Sequence, residues 1–244
     1  MDQIDTNLTF KLDKPSIIVI DNDECIGSWG DMSIFYSLCK IISVHPPSIE
    51  LFARLIGDTG CVRSGLRELY NCIINLKEQK KILGIYMCTA ARNDIGWVLF
   101  LKEILEYWYG MPIYDGVIYG NMIESWHAEN NSQYMNEYGV IKDMNQIRQI
   151  ANVPLDTPVI ALDDRPHNIR NGYSLSIEPY YVAVNLIEVG RVYIQDWNTI
   201  YEEKYGYDLM KNWKEYSLFP FKYTNYHTDK ILYQAITCLE NIFI

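Results

Sequence analysis

The chain's 244 residues, 49% of them hydrophobic and 21% charged, suit one sizeable globular domain or one domain with an appendage. Its formal net charge of −10 argues against general binding to nucleic acids, because surfaces that bind a polyanion are basic. No apolar run approaches the roughly 20 residues that a membrane-spanning helix needs, and the N-terminus lacks the basic-then-apolar order of a signal peptide. We therefore expect an intracellular protein, cytoplasmic or nuclear, that does not associate with a membrane.

The first predicted element is a buried strand over Ile17–Ile20, an unbroken apolar run. The pattern of Gly27–Gly60 predicts one or two short helices interrupted by Pro46-Pro47, and we interpret this segment as an insertion near the mouth of a site. A further helix is predicted to begin after Ser64, a suitable N-cap. Its apolar stripe consists of Leu66, Leu69, Tyr70, Ile73 and Ile74.

The middle of the chain continues the alternation of strands and helices. A second buried strand is predicted over Ile82–Met87, followed by a helix from Asp94 to Tyr109 and a short strand over Val117–Tyr119. A shorter helix is predicted from Lys142 to Ile150. The stripe of the longer helix consists of Val98, Leu101, Leu105 and Trp108.

Two more apolar runs, Val159–Leu162 and Tyr181–Val184, predict the last strands of the sheet. The segment from Trp197 to Tyr226 is rich in Tyr and Trp, and the chain ends in a helical pattern. We interpret that helix as a packing element, with binding of a protein partner as the alternative. Its shared face consists of Ile231, Ala235, Leu239 and Ile242.

Strands that alternate with helices predict an α/β fold, with a Rossmann-like parallel sheet flanked by helices. We assign residues 1–190 to this core, with 27–62 as a small helical insertion after the first strand. Residues 191–244 form an aromatic-rich C-terminal extension.

The six cysteines contain no C-x-x-C pair, and most of them lie among apolar residues. This pattern predicts buried free thiols in a reducing compartment. The four histidines are scattered as well, which argues against a zinc site.

Polar side chains follow the predicted strands at the edge of the sheet where ligands bind in open parallel sheets. Asp21 and Asp23 follow the first strand, Thr89 follows the second, and Asp163-Asp164 follow the third. Lys142 opens the helix before that third strand. Four carboxylates at one edge would repel one another unless a divalent cation binds, and oxygen ligands suit Mg²⁺. A metal, a lysine and a hydroxyl together would accept a phosphate.

This set of residues resembles the four motifs of the haloacid dehalogenase superfamily in order and spacing. The motifs are a D-x-D after one strand, a Thr or Ser after the next, a Lys, and an acidic pair. The segments "DNDE", "VRSGLRELYNCI", "MCTAA", "YGVIKDMNQI" and "LDDRPHNI" are similar, more narrowly, to phosphatases that act on the RNA polymerase II C-terminal domain, the group that includes the NLI-interacting-factor-like proteins. This likeness covers about residues 15 to 185. The chain departs from the group's pattern at Cys25-Ile26, where Thr-Leu is usual, at Ser64, where Pro is usual, and at Arg165, where Ser is usual.

The resemblance implies a role for each candidate residue. Asp21 would be the nucleophile that forms an aspartyl-phosphate, and Asp23 the general acid and then base. Thr89 and Lys142 would bind the phosphoryl oxygens. The metal would be held by Asp21, the backbone carbonyl of Asp23 and the acidic pair Asp163-Asp164. Within that pair Asp164 is the preferred ligand, and Asp163 would orient Lys142 or a metal-bound water.

Three further residues are candidates for contact with the substrate. Ala90 and Arg92 follow the second motif, and Arg165 lies beside the acidic pair, where it could alter substrate choice. For Arg92, a surface salt bridge is an equal alternative.

The resulting prediction is an Mg²⁺-dependent phosphatase that acts on phosphoserine or phosphothreonine in proteins or peptides. Two alternatives stay open: a small-molecule or nucleic-acid-end phosphatase on the same core, and a catalytically degenerate scaffold that binds a partner through its C-terminal extension.

Overall fold

A five-stranded, all-parallel sheet forms the centre of the computed structural model of the chain. The structure describes residues 11–42, 48–90, 95–122, 135–136, 139–182 and 229–243. The strands are β1 (Ser16–Asp21), β2 (Ile82–Thr89), β3 (Gly116–Tyr119), β4 (Met135–Asn136), β5 (Gly139–Val140), β6 (Lys142–Asp143), β7 (Val159–Asp163), β8 (Ile169–Arg170) and β9 (Tyr173–Ser176). The order in the sheet is β3-β2-β1-β7-β9, which is a Rossmann-like α/β arrangement. The short strands pair separately, β4 with β5 and β6 with β8.

Helices cover both faces of this sheet. They are α1 (Gly30–Ile42), α2 (Ile49–Asp58), α3 (Leu66–Glu78), α4 (Ile95–Tyr109), α5 (Met144–Ile150) and α6 (Ile231–Ile242). Short 3₁₀ helices cover Gly120–Met122 and Pro166–Asn168.

The central strand β1 is apolar throughout because both of its sides are covered. Ile18 and Ile20 belong to the large core cluster that includes residues of α1, α2, α3, α4 and α6. Ile17 and Val19 belong to a second cluster with Met144 of α5 on the opposite face. Alternate side chains of a strand point to opposite faces, so two covered faces require an unbroken apolar run.

The segment predicted as a helical insertion contains the two helices α1 and α2, and both pack into the large core. The rings of Phe35 and Phe52 lie 5.5 Å apart, and the ring of Tyr36 lies 4.8 Å from that of Phe100 in α4. This aromatic cluster joins the segment to the main body of the fold. Pro46-Pro47 lie outside the described residues.

Three of the four main strand predictions are confirmed: Ile17–Ile20, Ile82–Met87 and Val159–Leu162 lie within β1, β2 and β7. The short strand predicted over Val117–Tyr119 is confirmed as β3.

The strand predicted over Tyr181–Val184 is wrong for the part that is described. The fifth strand is Tyr173–Ser176, while Tyr181 and Val182 are not in a strand, and residues 183–184 lie outside the described range. The strand β9 lies at the edge of the sheet and buries only Leu175, so its sequence lacks an apolar run. After it, the backbone N–H of Tyr180 donates to the carbonyl of Glu24, which turns the chain toward the loop after β1 instead of along the sheet.

Two predicted helix starts are corrected. Gly65, not Ser64, is the N-cap of α3, with φ +85°, a left-handed conformation that favours glycine. A Cβ at this position would lie 3.0 Å from the ring of Tyr233.

The helix predicted from Lys142 begins at Met144, because the side chain of Asp143 accepts from the N–H of Asn145 and caps the helix. Lys142 therefore lies in β6.

The predicted stripes of the longer helices match the buried faces closely. In α4, Val98, Leu101 and Leu105 are buried, whereas Trp108 is only partly buried. Asp94 lies outside the described residues.

The C-terminal helix α6 packs against α3, with Ala235, Leu239 and Ile242 buried and Ile231 partly buried. The apolar stripe of α6 is thus used inside this chain.

All six cysteines are free, and every one except the partly buried Cys72 is buried, as the sequence predicts. Within the described parts of the chain, no helix combines the length and the apolar character needed to span a membrane.

Candidate active site

The carboxyl ends of β1, β2 and β7 meet at one edge of the sheet. The chain leaves β1 toward β2 on one side and later returns to β7 on the other, so β1 lies between them. Asp21, Thr89 and Asp163 are the last residues of these three strands. The topology therefore brings together residues that lie up to 142 positions apart in sequence.

Lys142 joins two of the carboxylates. Its Nζ donates to Oδ1 of Asp21 at 2.7 Å and to Oδ2 of Asp163 at 2.6 Å, and all three side chains are at least nine-tenths buried. Pairing of β6 with β8, which sets Lys142 opposite Ile169, fixes the backbone of the lysine. Burial alone would lower the pKa of Lys142, but the charges of Asp21 and Asp163 outweigh it and raise that pKa well above its ordinary value.

The carboxylates of Asp21, Asp163 and Asp164 lie within 4.8 Å of one another. Burial raises the pKa of Asp21 well above its ordinary value, and Asp163 adds to the rise while Lys142 opposes it. Burial and the neighbouring Asp163 also raise the pKa of Asp164. The nearby cations therefore do not fully offset the cost of three buried carboxylates, and this oxygen-rich set fits a hard divalent cation.

Asp23 lies at the solvent side of this cluster, and its carboxylate is outside the close group of three. Oγ1 of Thr89 donates to Oδ2 of Asp23 at 3.3 Å. Partial desolvation raises the pKa of Asp23, and the hydrogen bond from Thr89 opposes the rise. A carboxyl group that has a raised pKa and is still reached by solvent suits proton transfer.

The loop after β1 is tightly folded. Glu24 has φ +63°, its N–H donates to the carbonyl of Gly27, and the indole Nε1 of Trp29 donates to the carbonyl of Asn22. A Cβ at Gly27 would lie 2.1 Å from the ring of Trp29, so only glycine fits there. These contacts fix the backbone on both sides of Asp23 and so orient its side chain.

Arg165 forms part of the rim of the site, with 57% of its side chain exposed. Its backbone N–H donates to Oδ1 of Asp163 at 2.8 Å, which fixes the carboxylate that holds Lys142. Its guanidinium lies 3.4 Å from Asp164 and 3.8 Å from Glu24. The hydroxyl of Tyr181 donates to the Glu24 carboxylate. The rim thus carries an exposed cation directly beside the three carboxylates.

The structure brings most of the candidate residues from the sequence to this edge. They are Asp21, Asp23, Thr89, Lys142, Asp163, Asp164 and Arg165. Ala90 follows β2 directly and is exposed. Arg92 lies outside the described residues.

Sequence reasoning did not single out Glu24, Trp29 or Tyr181 as parts of the site. Glu24 stood within the quoted "DNDE" motif, so it could have been examined as a loop residue. The glycine three residues after Glu24 and the indole beyond it signalled a tight turn. No local pattern connects Tyr181 with Glu24, because 157 positions separate them.

No protein-family model matches the chain, and comparison with curated proteins and with solved structures finds no significant similarity.

Replacement of Lys142 by Met should destabilise the fold, because it leaves Asp21 and Asp163 buried without their shared cation. We expect the free energy of unfolding, measured by urea titration with a chelator at about pH 7.5, to fall by about 3–5 kcal/mol. The deficit should shrink at about pH 5. Between about pH 5 and about pH 7.5, Asp21 keeps its proton in the folded variant but releases it in the unfolded chain. The free energy of unfolding of the variant therefore falls as the pH rises through this range.

The matched control is Lys102→Met, which removes the i,i+4 pair with Glu106 on α4. That change should cost less, on the order of 1 kcal/mol, because this pair is partly exposed and Glu106 still accepts from the N–H groups of Ile113 and Tyr114. Equal losses in the two variants would contradict the central role of Lys142.

Proposed function

We propose that the chain is a magnesium-dependent phosphomonoesterase that works through an aspartyl-phosphate on Asp21. The observation that supports this most directly is the bridge from Lys142 to Asp21 and Asp163 beside Asp164, at the carboxyl end of the central strand. The resemblance of the sequence motifs to the haloacid dehalogenase superfamily supports the same reaction. A simple solvated turn would not bury a lysine between two carboxylates.

The proposed ligands of Mg²⁺ are the carboxylates of Asp21 and Asp164, with the backbone carbonyl of Asp23 added by resemblance. Asp163 is less available, because its oxygens already accept from Lys142 and from the N–H of Arg165. The bound ion would offset the carboxylate charges and so reduce their repulsion of a negatively charged phosphate.

The residues of the chain divide the reaction into two steps. In the first, a carboxylate oxygen of Asp21 attacks phosphorus, the bond to the leaving oxygen breaks, and Asp23 donates its proton to that oxygen. In the second, Asp23 takes a proton from a water molecule whose oxygen attacks phosphorus, which releases phosphate and restores Asp21. Lys142 and Thr89 bind the phosphoryl oxygens in both steps, and Lys142, together with the metal ion, would favour the ionised form of Asp21.

The proposed substrate is phosphoserine or phosphothreonine in a protein or peptide. In the described part of the chain, the helices between β1 and β2 belong to the main core and do not form a separate cap over the site. Without such a cap, the binding energy would have to come from groups that flank the phosphate. The six free cysteines fit the reducing intracellular location that we propose for the protein.

Asp21→Asn should abolish hydrolysis of an aryl phosphate, lowering kcat by roughly 10³-fold or more, because an amide cannot form the phosphoenzyme. The control is Asp156→Asn, which neutralises an exposed aspartate that pairs with Lys14 and precedes β7, whereas the site lies at the carboxyl end of that strand. Circular dichroism should show both variants folded. A folded Asp21→Asn protein with full activity would rule out this mechanism, and an inactive wild-type protein would favour the scaffold alternative.

Hydrolysis should require Mg²⁺, and Asp164→Ala should weaken its binding more than Asp163→Ala does. Asp163→Ala should instead cost more stability, because it removes the acceptor for Lys142 and Arg165. Isothermal titration with Mg²⁺ and thermal unfolding separate the two effects. Undiminished turnover in excess chelator would contradict the metal requirement, whereas the reverse ranking would overturn only the assignment of the ligands.

A suitable phosphopeptide should be hydrolysed with a kcat/KM at least ~100-fold above that of free phosphoserine, equivalent to ~2.7 kcal/mol. The measurement is steady-state phosphate release from a broad phosphopeptide panel beside phosphoamino acids, nucleotides and sugar phosphates. If small phosphates react as well as every peptide, the small-molecule alternative replaces the protein-phosphatase proposal.

A further inference from the structure

Arg63 carries a buried charge that the proposed mechanism does not use. Its Nη1 donates to the carbonyls of Cys25 at 2.9 Å and Glu178 at 2.6 Å, and its Nε donates to Oδ2 of Asp229 at 2.6 Å. The side chains of Arg63 and Asp229 are only 1% and 3% exposed. A fully buried charge pair with three directed hydrogen bonds holds its neighbours in one geometry.

The contacts of Arg63 converge on the loop that carries Asp23. Cys25 is two residues after Asp23, and the backbone N–H of Arg63 also donates to the carbonyl of Ile26 at 3.0 Å. The same loop is also held by the N–H of Tyr180, which donates to the carbonyl of Glu24 at 2.7 Å. The guanidinium of Arg63 also lies 5.2 Å from the centre of the Tyr180 ring. Arg63 therefore contacts both the backbone of the loop and the tyrosine that holds the loop at Glu24.

Asp229 is the carboxylate that balances Arg63. The guanidinium also donates to the carbonyls of Cys25 and Glu178, but these neutral groups carry no net charge to balance a buried cation. Oδ1 of Asp229 accepts from the N–H of Ile231 at the start of α6, while Oδ2 accepts from Arg63. The pair therefore connects the first turn of α6, which packs on α3, with the loop after β1.

We propose that the Arg63–Asp229 pair is a positioning device for Asp23, so that the C-terminal helix α6 helps to build the active site. The proposal rests on the proposed function, in which Asp23 donates a proton to the leaving oxygen. Arg63 and Asp229 do not contact substrate in this scheme. They act through the backbone at Glu24–Ile26, which determines where the Asp23 carboxyl group stands.

A misplaced general acid has a specific kinetic signature. Protonation matters most when the leaving group is a poor one, such as an alkoxide, and matters little for a nitrophenolate. Because kcat/KM reports only the steps up to departure of the leaving group, loss of the pair should reduce kcat/KM for an alkyl phosphate far more than kcat/KM for p-nitrophenyl phosphate. A change that only destabilised the fold would lower both rates by the same factor.

The test uses the full chain with Asp229→Asn and Arg63→Lys. Asp229→Asn removes the charge and keeps the shape, whereas Arg63→Lys keeps the charge and removes the planar fork that reaches three acceptors. Asp156→Asn is the matched control, because it neutralises an exposed aspartate of another ion pair. The readouts are kcat/KM for both phosphates in Mg²⁺ and amide hydrogen exchange at Glu24 and Tyr180.

We expect both variants at the pair to lower kcat/KM for the alkyl phosphate at least ~10-fold more than kcat/KM for p-nitrophenyl phosphate. Exchange at Glu24 and Tyr180 should accelerate at least ~10-fold, with the amides of β1 unchanged, and the control should match wild type. Equal losses for both phosphates, or unchanged exchange at the two loop amides, would overturn the proposal.

Two further outcomes are decisive as well. If Asp229→Asn does not fold, Arg63→Lys provides the same comparison with the charge of the pair retained. If the wild-type protein hydrolyses neither phosphate, the proposed function fails, while hydrogen exchange still decides whether the pair holds the loop after β1.

Discussion

The burial of like charges at the end of the central strand is the constraint on which the rest of the site depends. Asp21 and Asp163 end adjacent parallel strands, so their carboxylates meet where there is little water to screen them. Lys142 makes this arrangement tolerable by donating to both. That requirement explains why a lysine occupies a short strand of its own, with the helix beginning only after Asp143.

Around this buried bridge, each remaining polar group of the site has a structural restraint. Thr89 ends β2 and contacts Asp23, while the backbone of Arg165 holds Asp163. The tight loop of Glu24 and Gly27 orients Asp23. In the proposed reaction, side chains that are fixed before a ligand arrives would need less reorganisation, which is a main source of electrostatic catalysis in enzymes.

The site is acidic, as is the whole chain, and these negative charges would repel an anionic ligand. Binding of such a ligand would therefore need positively charged groups nearby. Lys142 is buried beneath the carboxylates, and Arg165 is the exposed cation that the structure places at the described rim. Arg165 is shared between Asp164 and Glu24. A ligand that competes with either contact would therefore change the charge balance at the mouth of the site.

The sequence by itself determined the central strands and the order of the polar residues that follow them. The apolar runs in β1, β2 and β7 are long because both faces of the sheet are covered, and parallel strands end at a common edge, so Asp21, Thr89 and Asp163 could be placed together in advance. Only the tertiary structure decided which edge strand completes the sheet, because β9 buries a single apolar side chain. It also decided the partner of Arg63, since Asp229 is 166 positions away and the contact depends on α6 packing against α3. Local periodicity reports burial along one element, whereas pairing between distant charges follows from the packing of several elements, which no short stretch of sequence encodes.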